Sequence, residues 1–442
     1  MTMRRYRHIR VLVILLLVTF SGVSKAEVTI TYMHRTVPLE TEWAERVAAA
    51  FEEANPGVKV ELISGGGGAG FFEKLSSLIA SGLAPDIHYG SNDRLLPIHS
   101  GWILGLNELI ERDAAELDID DYLPGVFRSY EVNGTVYGMP LNVFTQVVFW
   151  NRNMFDEYGL APLTMDWDSD EWTWDDLLSY SARLTEVGQD GAARQLGVSR
   201  ATDLYLPDIA WMFGGDWFVP EAYETGKATE STMTRAENVT AYEALQYLCM
   251  NYAAEGPNKG IDVVRGFQQG RLGMDWIGTW KVKQFIQETR TGGMSFDWNM
   301  APVPLAQNRA NTRWVDALFI YKNTKYKEEA WEFVKFATGV EGQALWSELT
   351  GDIPARRSVL PVYVSKITDV MEIKEHVLVQ FIDGGVSHSR RAVEESILGT
   401  GRIVNQNQRR WFNPIINGTT AVLTALERIQ SELDAQLKAL VN

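Results

Sequence analysis

The stretch "KVELISGGGGAGFFEKLSSLIASG", residues 59–82, decides the fold class because it places a strand, a glycine loop and a helix in succession. Alternating apolar residues lead up to Ser64, and "FFEKLSSLIASG" has helical periodicity. A strand in "EVTITYMH" and a helix over about 40–55 precede this stretch, and "APDIHYG" gives a third strand. Such alternation predicts an α/β fold with a parallel sheet covered by helices.

The glycines also match the pattern of a dinucleotide-binding loop. Gly65, Gly67 and Gly70 have the spacing G-x-G-x-x-G, and Asp86 follows roughly where a ribose-binding acid stands in such enzymes. Because a single glycine pattern is weak evidence, the rest of the chain must decide whether this loop binds a nucleotide.

The N-terminal segment has the pattern of a secretory signal peptide. Four arginines precede the apolar run "VLVILLLVTF", and the small residues Ser24 and Ala26 stand before the expected cleavage site. The alternative is an uncleaved membrane anchor, but the apolar run is shorter than the ~20 residues that cross a bilayer. We therefore expect residues 1–26 to be removed and the mature chain to act in the periplasm.

Composition narrows the possible partners. The formal net charge is -16, and it becomes -21 without residues 1–26, which carry five basic and no acidic side chains. Such an acidic chain repels nucleic acid and anionic lipid. Cys249 is the single cysteine, so no intramolecular disulfide and no cysteine-based metal site can form, and we expect it in a helix core.

Signatures of enzymes are scarce in the sequence. The G-x-S-x-G, H-E-x-x-H and phosphate-loop motifs are missing, so we expect no enzymatic activity, no cofactor and no metal. A pair of glycosidase carboxylates brought together by folding is the open alternative. The 15 tryptophans instead indicate sugar binding, because indole rings stack on sugar faces as well as filling cores.

Five segments carry a specific resemblance, and they occur in family order. They are "SGLAPDIHYGSNDRLLPIHSGWILGLNELI", "VNGTVYGMPLNVFTQVVFWNRNMFDEYGL", "TWDDLLSYSARLT", "GRLGMDWIGTW" and "EEAWEFVKFATGVEGQALWSELTGDIPARRSV". In the third, Thr173 with Asp176 has the pattern of a capping box, which predicts a helix start at "TWDD". Together the five segments resemble the carbohydrate-binding proteins of ABC transporters, of the maltodextrin-binding type. The resemblance implies a two-lobed periplasmic-binding-protein fold of type II, in which each lobe is a mostly parallel sheet flanked by helices and the ligand lies between the lobes.

The same resemblance implies the domain boundaries and the partners. The first lobe is expected over 27–143 and 303–338, and the second over 144–302 and 339–442. The chain is expected to be a monomer that binds a sugar, most simply an oligosaccharide, and hands it to inner-membrane permease subunits. The alternative ligand is an acidic sugar or a glycerol phosphate, since a glycine-rich helix start offers N–H groups to an anion.

The candidate site residues are also carried over from the resemblance. "GSNDR" matches a family turn whose acid and arginine bind sugar hydroxyls, although a local ion pair is the competing interpretation. Trp280 matches the stacking aromatic of the second lobe, whereas Trp276 is expected in the core. Phe144 stands where relatives use a glutamate. The full set of ligand-binding candidates is Asn92, Asp93, Arg94, Trp280, Tyr205, Asp203, Trp314, Asp316, Arg356, His34, Gly67 and Trp411.

The resemblance also answers the question of the glycines. Asp86 becomes the entry to the third strand, so its distance from the glycines is coincidental. The loop around Gly67 is then expected at the edge of the cleft, where ligand can approach bare backbone, with a flexible turn as the alternative.

Overall fold

The structure is a computed structural model that describes residues 27–67, 69–90, 95–200, 205–253, 260–262 and 265–441. The signal peptide predicted over residues 1–26 lies outside the described residues. Strands and helices alternate through the first half of the chain, as the sequence predicts, and helices dominate the last quarter.

The strands of the described residues are numbered in chain order. They are β1 (Val28–His34), β2 (Val58–Ser64), β3 (Ile87–Tyr89), β4 (Glu131–Val132), β5 (Thr135–Val136), β6 (Gly138–Asn151), β7 (Glu186–Val187), β8 (Ala193–Arg200), β9 (Leu272–Gly278), β10 (Trp298–Ala301), β11 (Asn311–Ile320), β12 (Ile353–Pro354) and β13 (Ser389–Arg391).

The α-helices of the same residues are numbered likewise. They are α1 (Pro38–Ala54), α2 (Ala69–Ala80), α3 (Leu95–His99), α4 (Asn107–Arg112), α5 (Ala114–Leu117), α6 (Arg152–Glu157), α7 (Trp174–Leu184), α8 (Leu206–Met212), α9 (Pro220–Thr225), α10 (Ala236–Asn251), α11 (Val282–Thr291), α12 (Lys327–Ala337), α13 (Val340–Thr350), α14 (Leu360–Val364), α15 (Thr368–Met371), α16 (Glu375–Ser387), α17 (Thr400–Ile416) and α18 (Val422–Val441).

Local sequence explains where two of the main helices begin. Proline at the first position of α1 has the backbone angle of a helix and lacks the N–H that would have no partner there. At α7, the Thr173 side chain accepts from the backbone of Asp176 while the Asp176 carboxylate accepts from the Thr173 backbone. This reciprocal cap confirms the helix start predicted at "TWDD".

The first half of the sheet follows the opening strand–helix pattern. β1 pairs in parallel with β2 and with β3, while β11 runs antiparallel to β3 and β6. Trp43 and Phe51 of α1 lie under this half of the sheet and are fully buried. The parallel prediction therefore holds for the first three strands, and the sheet is mixed beyond them.

One long strand joins the two halves of the sheet. β6 pairs with β11 from Gly138 to Thr145 and then with β9 from Gln146 to Trp150. β9 in turn runs parallel to β8, which extends the second half. Because nearly every residue of β6 is buried, its 14-residue run forms the floor on which both halves meet.

The elements that follow β11 contact the first half of the sheet. α13 packs on α1, since the Trp43 indole N–H donates to the Gly342 carbonyl at 2.9 Å and its ring meets Trp346 edge-on at 4.9 Å. β12 then pairs with Asn142 and Val143 of β6. Residues 340–354 therefore lie against α1 and β6, and the lobe boundaries drawn from the sequence stay a prediction.

Two expectations about the interior are confirmed. Cys249 is fully buried in α10, and Trp276 is 1% exposed in β9. Among the described residues, none of the helices combines the length and apolar character needed to cross a membrane.

Candidate functional site

The candidate site lies where β6 passes from the first half of the sheet to the second. Trp314 of β11 is in register with Phe144 of β6, and β9 ends beside Gln146. Trp280 follows β9 by two residues. Three aromatic side chains from separate strands therefore meet at the point where the two halves join.

Four rings form what we call the aromatic cluster: Phe144, Tyr205, Trp280 and Trp314. Trp280 meets Trp314 at 5.6 Å between ring centroids and Phe144 at 6.0 Å, with interplanar angles of 71° and 77°. Tyr205 meets Trp314 at 5.2 Å and 82°. These edge-to-face contacts fix the rings against one another.

Exposure separates these indoles from the others in the chain. Twelve of the 15 tryptophans are buried in the core, which leaves Trp102, Trp280 and Trp314 half-buried. Two of these three are the pair that meets in the aromatic cluster. A tryptophan with an accessible surface at the junction is available to a ligand, whereas the core tryptophans are not.

Glycine at position 278 makes the position of Trp280 possible. A Cβ atom placed on Gly278 would lie 1.9 Å from the Trp280 ring, far inside van der Waals contact. The ring therefore folds back over bare backbone at the end of β9, which restricts its motion before any ligand arrives.

Glu394 fixes the far side of the aromatic cluster. Its carboxylate accepts from the Trp314 indole N–H at 2.7 Å and from the Tyr205 hydroxyl at 2.5 Å. Burial, followed by the Glu394 charge, holds the pKa of Tyr205 well above its usual range. Tyr205 therefore remains protonated and keeps donating, so one half-buried carboxylate positions two rings.

A second group, the charged cluster, lies next to it on the first half of the sheet: Arg35, Glu40, Tyr89, Asn142 and Asp316. The Arg35 guanidinium donates to both Glu40 oxygens and lies 4.8 Å from the Tyr89 ring centroid. The Asn142 amide donates to Asp316 at 3.3 Å. Asp316 is two residues from Trp314 on one face of β11, about 7 Å away, so the clusters are adjacent.

In the charged cluster, neighbouring charges and burial shift the pKa values of Arg35 and Glu40 in opposite directions. Burial lowers the pKa of Arg35, but Tyr89, Asp316 and Glu40 outweigh it and raise the pKa above its usual value. Burial raises the pKa of Glu40, and Arg35 only partly reverses the shift. The arginine thus stays charged at any physiological pH, with more than one acid around it.

Asp352 adds another carboxyl beside this group. It precedes β12, which pairs with β6 at Asn142 and Val143. Burial, with the Asp316 and Glu40 charges adding to it, raises the pKa of Asp352 to about 7. Because the side chain retains some exposure, solvent reduces the energetic consequence of that shift.

The combined arrangement suits a ligand with both apolar faces and hydroxyl groups. Indole rings offer flat apolar surface, carboxylates accept from hydroxyls, and a guanidinium donates in a fork. Acids outnumber Arg35 in and beside the two clusters, which disfavours an anionic ligand. Nowhere in the described ranges do three or more His, Cys, Asp or Glu side chains form a group that could hold a metal ion.

Several sequence-predicted residues cannot be placed. Asn92, Asp93, Arg94 and Asp203 lie outside the described residues, so the strongest polar prediction is untested. Among the described candidates, the structure brings Trp280, Trp314, Tyr205 and Asp316 together. Tyr205 and Asp316 are 8% and 3% exposed, so the two half-buried indoles are the candidates that offer a surface to a ligand.

Three other candidates are taken up by contacts within the protein. His34 is 5% exposed, and its Nδ1 lies 2.8 Å from the Arg35 carbonyl oxygen. Arg356 is 4% exposed and donates to the Thr338 and Leu117 carbonyls at 3.1 and 2.9 Å. Trp411 has no exposed surface and donates to Glu432 at 2.7 Å. Burial leaves these side chains almost no surface for a ligand. The sequence did not reveal this, because a motif match does not show how deeply a residue is buried.

The glycine loop is tied to the carboxyl end of β1. The Gly66 N–H donates to the Thr36 hydroxyl at 2.8 Å, and the Thr36 N–H donates to the Gly66 carbonyl at 2.9 Å. Gly67 is exposed, with open space around the position of a Cβ atom. Asp86 instead accepts from the Thr31 backbone and side chain at 2.8 Å, which agrees with a structural role at the start of β3.

Sequence reasoning missed Glu394 beside the aromatic cluster and four residues of the charged cluster: Arg35, Glu40, Tyr89 and Asn142. Arg35 follows β1 at the carboxyl edge where ligands bind in α/β sheets, so this position was a usable signal. Glu394 gave none, because it lies 80 residues from Trp314 and 189 residues from Tyr205 along the chain.

A sheet in two halves joined by one long strand, with accessible aromatic and charged side chains at the junction, defines a two-lobed binding protein. The chain belongs to the bacterial extracellular solute-binding protein family, whose sequence model matches residues 38–344. It is 22% identical over 364 residues to a putative binding protein of Brucella abortus, covering 78% of this chain and 79% of that one. An uncharacterized ABC transporter extracellular-binding protein of Pyrococcus horikoshii is 23% identical, covering 72% and 69%.

Solved structures confirm the predicted fold. The sugar-binding protein MalE of Xanthomonas citri superposes with a TM-score of 0.75 at 20% identity, covering 92% of this chain and 97% of that one. UgpB of Mycobacterium tuberculosis, in complex with glycerophosphocholine, superposes with a TM-score of 0.72 at 18% identity, covering 94% and 99%. These likenesses establish the two-lobed α/β fold, and neighbours with different ligands share it.

Proposed function

We propose that this solute-binding protein captures a neutral sugar, most simply an oligosaccharide, between its two lobes and delivers it unchanged to an inner-membrane ABC permease. The observation that carries the proposal is the pair of half-buried indoles, Trp280 and Trp314, which meet at 5.6 Å beside the Asp316 carboxylate. The sugar-binding MalE and the ABC transporter relative support the same conclusion.

The chemistry of the two clusters matches the two surfaces of a sugar ring. The C–H face of a pyranose packs on indole, while its hydroxyls accept from Arg35, whose side chain is 26% exposed. A micromolar affinity corresponds to about -8 kcal/mol, which a closed cleft with a few such contacts supplies.

Capture by two lobes also explains why the site sits at a strand shared between them. If the lobes close over a ligand, residues from both halves of the sheet surround it and water is displaced. Trp280 then contributes from the second half and Arg35 from the first. The closed form is what a permease would recognise, with the protein acting as a monomer in the periplasm after loss of its signal peptide.

An anionic ligand, such as an acidic sugar or a glycerol phosphate, is the second candidate. The likeness to UgpB in complex with glycerophosphocholine favours it. Against it, Arg356 is committed to carbonyls of the first lobe, and the carboxylates of Glu40, Asp316 and Glu394 surround the junction. Repulsion between these acids and a phosphate outweighs the charge of Arg35, which is the one cation among the described residues of the two clusters.

A thermal-shift panel on residues 27–442 tests the proposal. We expect neutral oligosaccharides to raise the melting temperature and to be recovered intact by chromatography. Stabilisation by uronic acids or glycerol phosphates alone would favour the anionic ligand. Hydrolysis of an oligosaccharide by the purified protein would show a hidden glycosidase and contradict simple capture.

A further inference from the structure

A groove of about 380 Å³ lies apart from the aromatic and charged clusters. One wall is α11, which begins directly after the turn that carries Trp280. The other wall is the end of α13 and the residues that follow α14. Its volume falls at the lower end of the range found for small-molecule pockets.

The floor of the groove is apolar. It is formed by Val282, Ile286, Tyr363 and Ile367, which are 1%, 8%, 3% and 1% exposed, and by the half-buried Leu349. Contact between an alkyl chain and this floor removes apolar surface from water on both partners, at about 25 cal/mol per Å².

The rim of the groove is basic. Lys283, Arg290 and Lys366 line it, against the single acidic lining residue Glu348. This is the reverse of the charge balance of the whole chain, whose formal net charge is -16. An anion therefore finds a favourable local potential here although the rest of the protein repels it.

The two lysines have donors to spare for such an anion. The Lys283 ammonium donates to the Leu349 carbonyl at 2.9 Å, and that of Lys366 donates to the Glu348 carbonyl at 3.1 Å, whereas each ammonium carries three donors. Arg290 is already paired with Asp369 at 3.0 Å. Burial, together with the Lys366 charge, lowers the pKa of Lys283 although Asp352 acts in the opposite direction.

The stem of Lys283 is held in place by a glycine. Gly351 has a φ of +68°, and a Cβ atom there would lie 3.1 Å from the Lys283 side chain. The end of α13 therefore accepts the lysine stem because this position has no side chain, and the ammonium stays at the groove rim.

We propose that this groove is a second ligand site, which binds one single-tailed anionic amphiphile. The alkyl chain lies on the apolar floor between Ile286 and Ile367, and the anionic head lies between Lys283 and Lys366. An occupant contacts the helix that starts next to Trp280, but the proposal is independent of the ligand bound at the aromatic cluster.

Calorimetric titration of residues 27–442 with sodium decanoate, kept below its micelle concentration, tests this site. We expect saturable binding of one decanoate per chain. Decyltrimethylammonium has the same tail and the opposite charge, so it should bind at least about tenfold more weakly, a difference of one charge contact. Equal binding of the two amphiphiles, or no saturable heat with decanoate, would overturn the proposal.

Two variants locate the binding, with folding checked by circular dichroism and thermal unfolding. Lys366→Glu should weaken decanoate binding about tenfold or more, whereas the matched change Lys325→Glu, at an exposed position outside the groove lining, should change it less than about twofold. If Lys366→Glu fails to fold, Lys283→Gln provides the same comparison with a smaller change. Equal effects at the groove and at Lys325 would show general charge attraction and contradict the site.

Discussion

The aromatic cluster and the charged cluster meet on β11, where Trp314 and Asp316 lie about 7 Å apart, yet the two clusters are built in opposite ways. The aromatic rings are placed by edge-to-face contacts and by one carboxylate, Glu394, that accepts from two of them. The charged cluster is held by an ion pair, Arg35 with Glu40, whose partners are themselves partly desolvated. The first should supply most of the binding energy, and the second most of the discrimination between ligands.

The largest expected effect is at the aromatic cluster. Trp280→Ala removes a stacking surface and should weaken oligosaccharide binding by about 2 kcal/mol, or about 30-fold, while the melting temperature of the free protein stays close to wild type. Titration calorimetry measures the affinity, and a thermal scan measures the melting temperature. Tyr247→Ala, at an aromatic residue 51% exposed on α10, is the control and should leave affinity unchanged. If Trp280→Ala also binds normally, the aromatic cluster is not the ligand surface.

The charged cluster should show a smaller loss of affinity with a change in selectivity. Asp316→Asn keeps the size of the buried side chain but removes a charge that attracts Arg35, so the guanidinium is held less firmly and neutral sugar should bind about tenfold more weakly. An anionic sugar should lose less or gain, because one repulsive charge is gone. Asp190→Asn, which removes a surface carboxylate paired with Arg194, serves as the matched control. Equal losses for neutral and anionic sugars would argue against discrimination by charge.

The hydrogen bonds from Trp314 and Tyr205 to the Glu394 carboxylate predict a smaller loss of affinity. In Glu394→Ala the side chain offers no acceptor, so the Trp314 indole N–H and the Tyr205 hydroxyl both lose the carboxylate that accepts from them. We expect an affinity loss of about 1 kcal/mol, or about fivefold, with a shift in tryptophan fluorescence of the free protein. An unchanged emission spectrum together with unchanged affinity would show that Glu394 does not position the rings.

The smallest effect concerns pH and stability rather than affinity. The pKa of Asp352 is about 7 in the folded protein against 3.8 for the ordinary side chain, so its ionisation destabilises the fold as pH rises from about 4 to 7. Asp352→Asn should match wild type near pH 4 and exceed its free energy of unfolding by about 1 kcal/mol at pH 8, after allowance for partial exposure. Urea unfolding at both pH values measures this. A constant difference across pH would contradict a raised pKa.

Prediction from sequence succeeded where the signal was local. The strand, loop and helix at 59–82, the cap at Thr173 and the buried Trp276 follow from periodicity and spacing, which depend on neighbours in the chain. The family segments also predicted a ligand contact at Trp280, which stays a prediction, and the structure shows that this indole is half-buried beside Trp314. Prediction was weaker for Arg356, His34 and Trp411, because a motif match gives a residue's place in the chain and not how much of its surface folding leaves exposed.

The glycine loop shows the same limit of sequence motifs. Its spacing matched a nucleotide motif, but the acid that completed the match, Asp86, is bound to Thr31 and Thr324. The loop instead joins the end of β1 through Thr36. A spacing of this kind becomes evidence only when the three-dimensional positions of its members are known.

By itself, the sequence determined the α/β class and the kind of binding protein, since these depend on short-range periodicity and on ordered motifs. The tertiary structure decided which three tryptophans stay accessible, and it joined Glu394 to rings 80 and 189 residues away. It also placed residues 340–354 with the first half of the sheet. These features depend on burial and on contacts between distant segments, which only the packing of the whole chain creates.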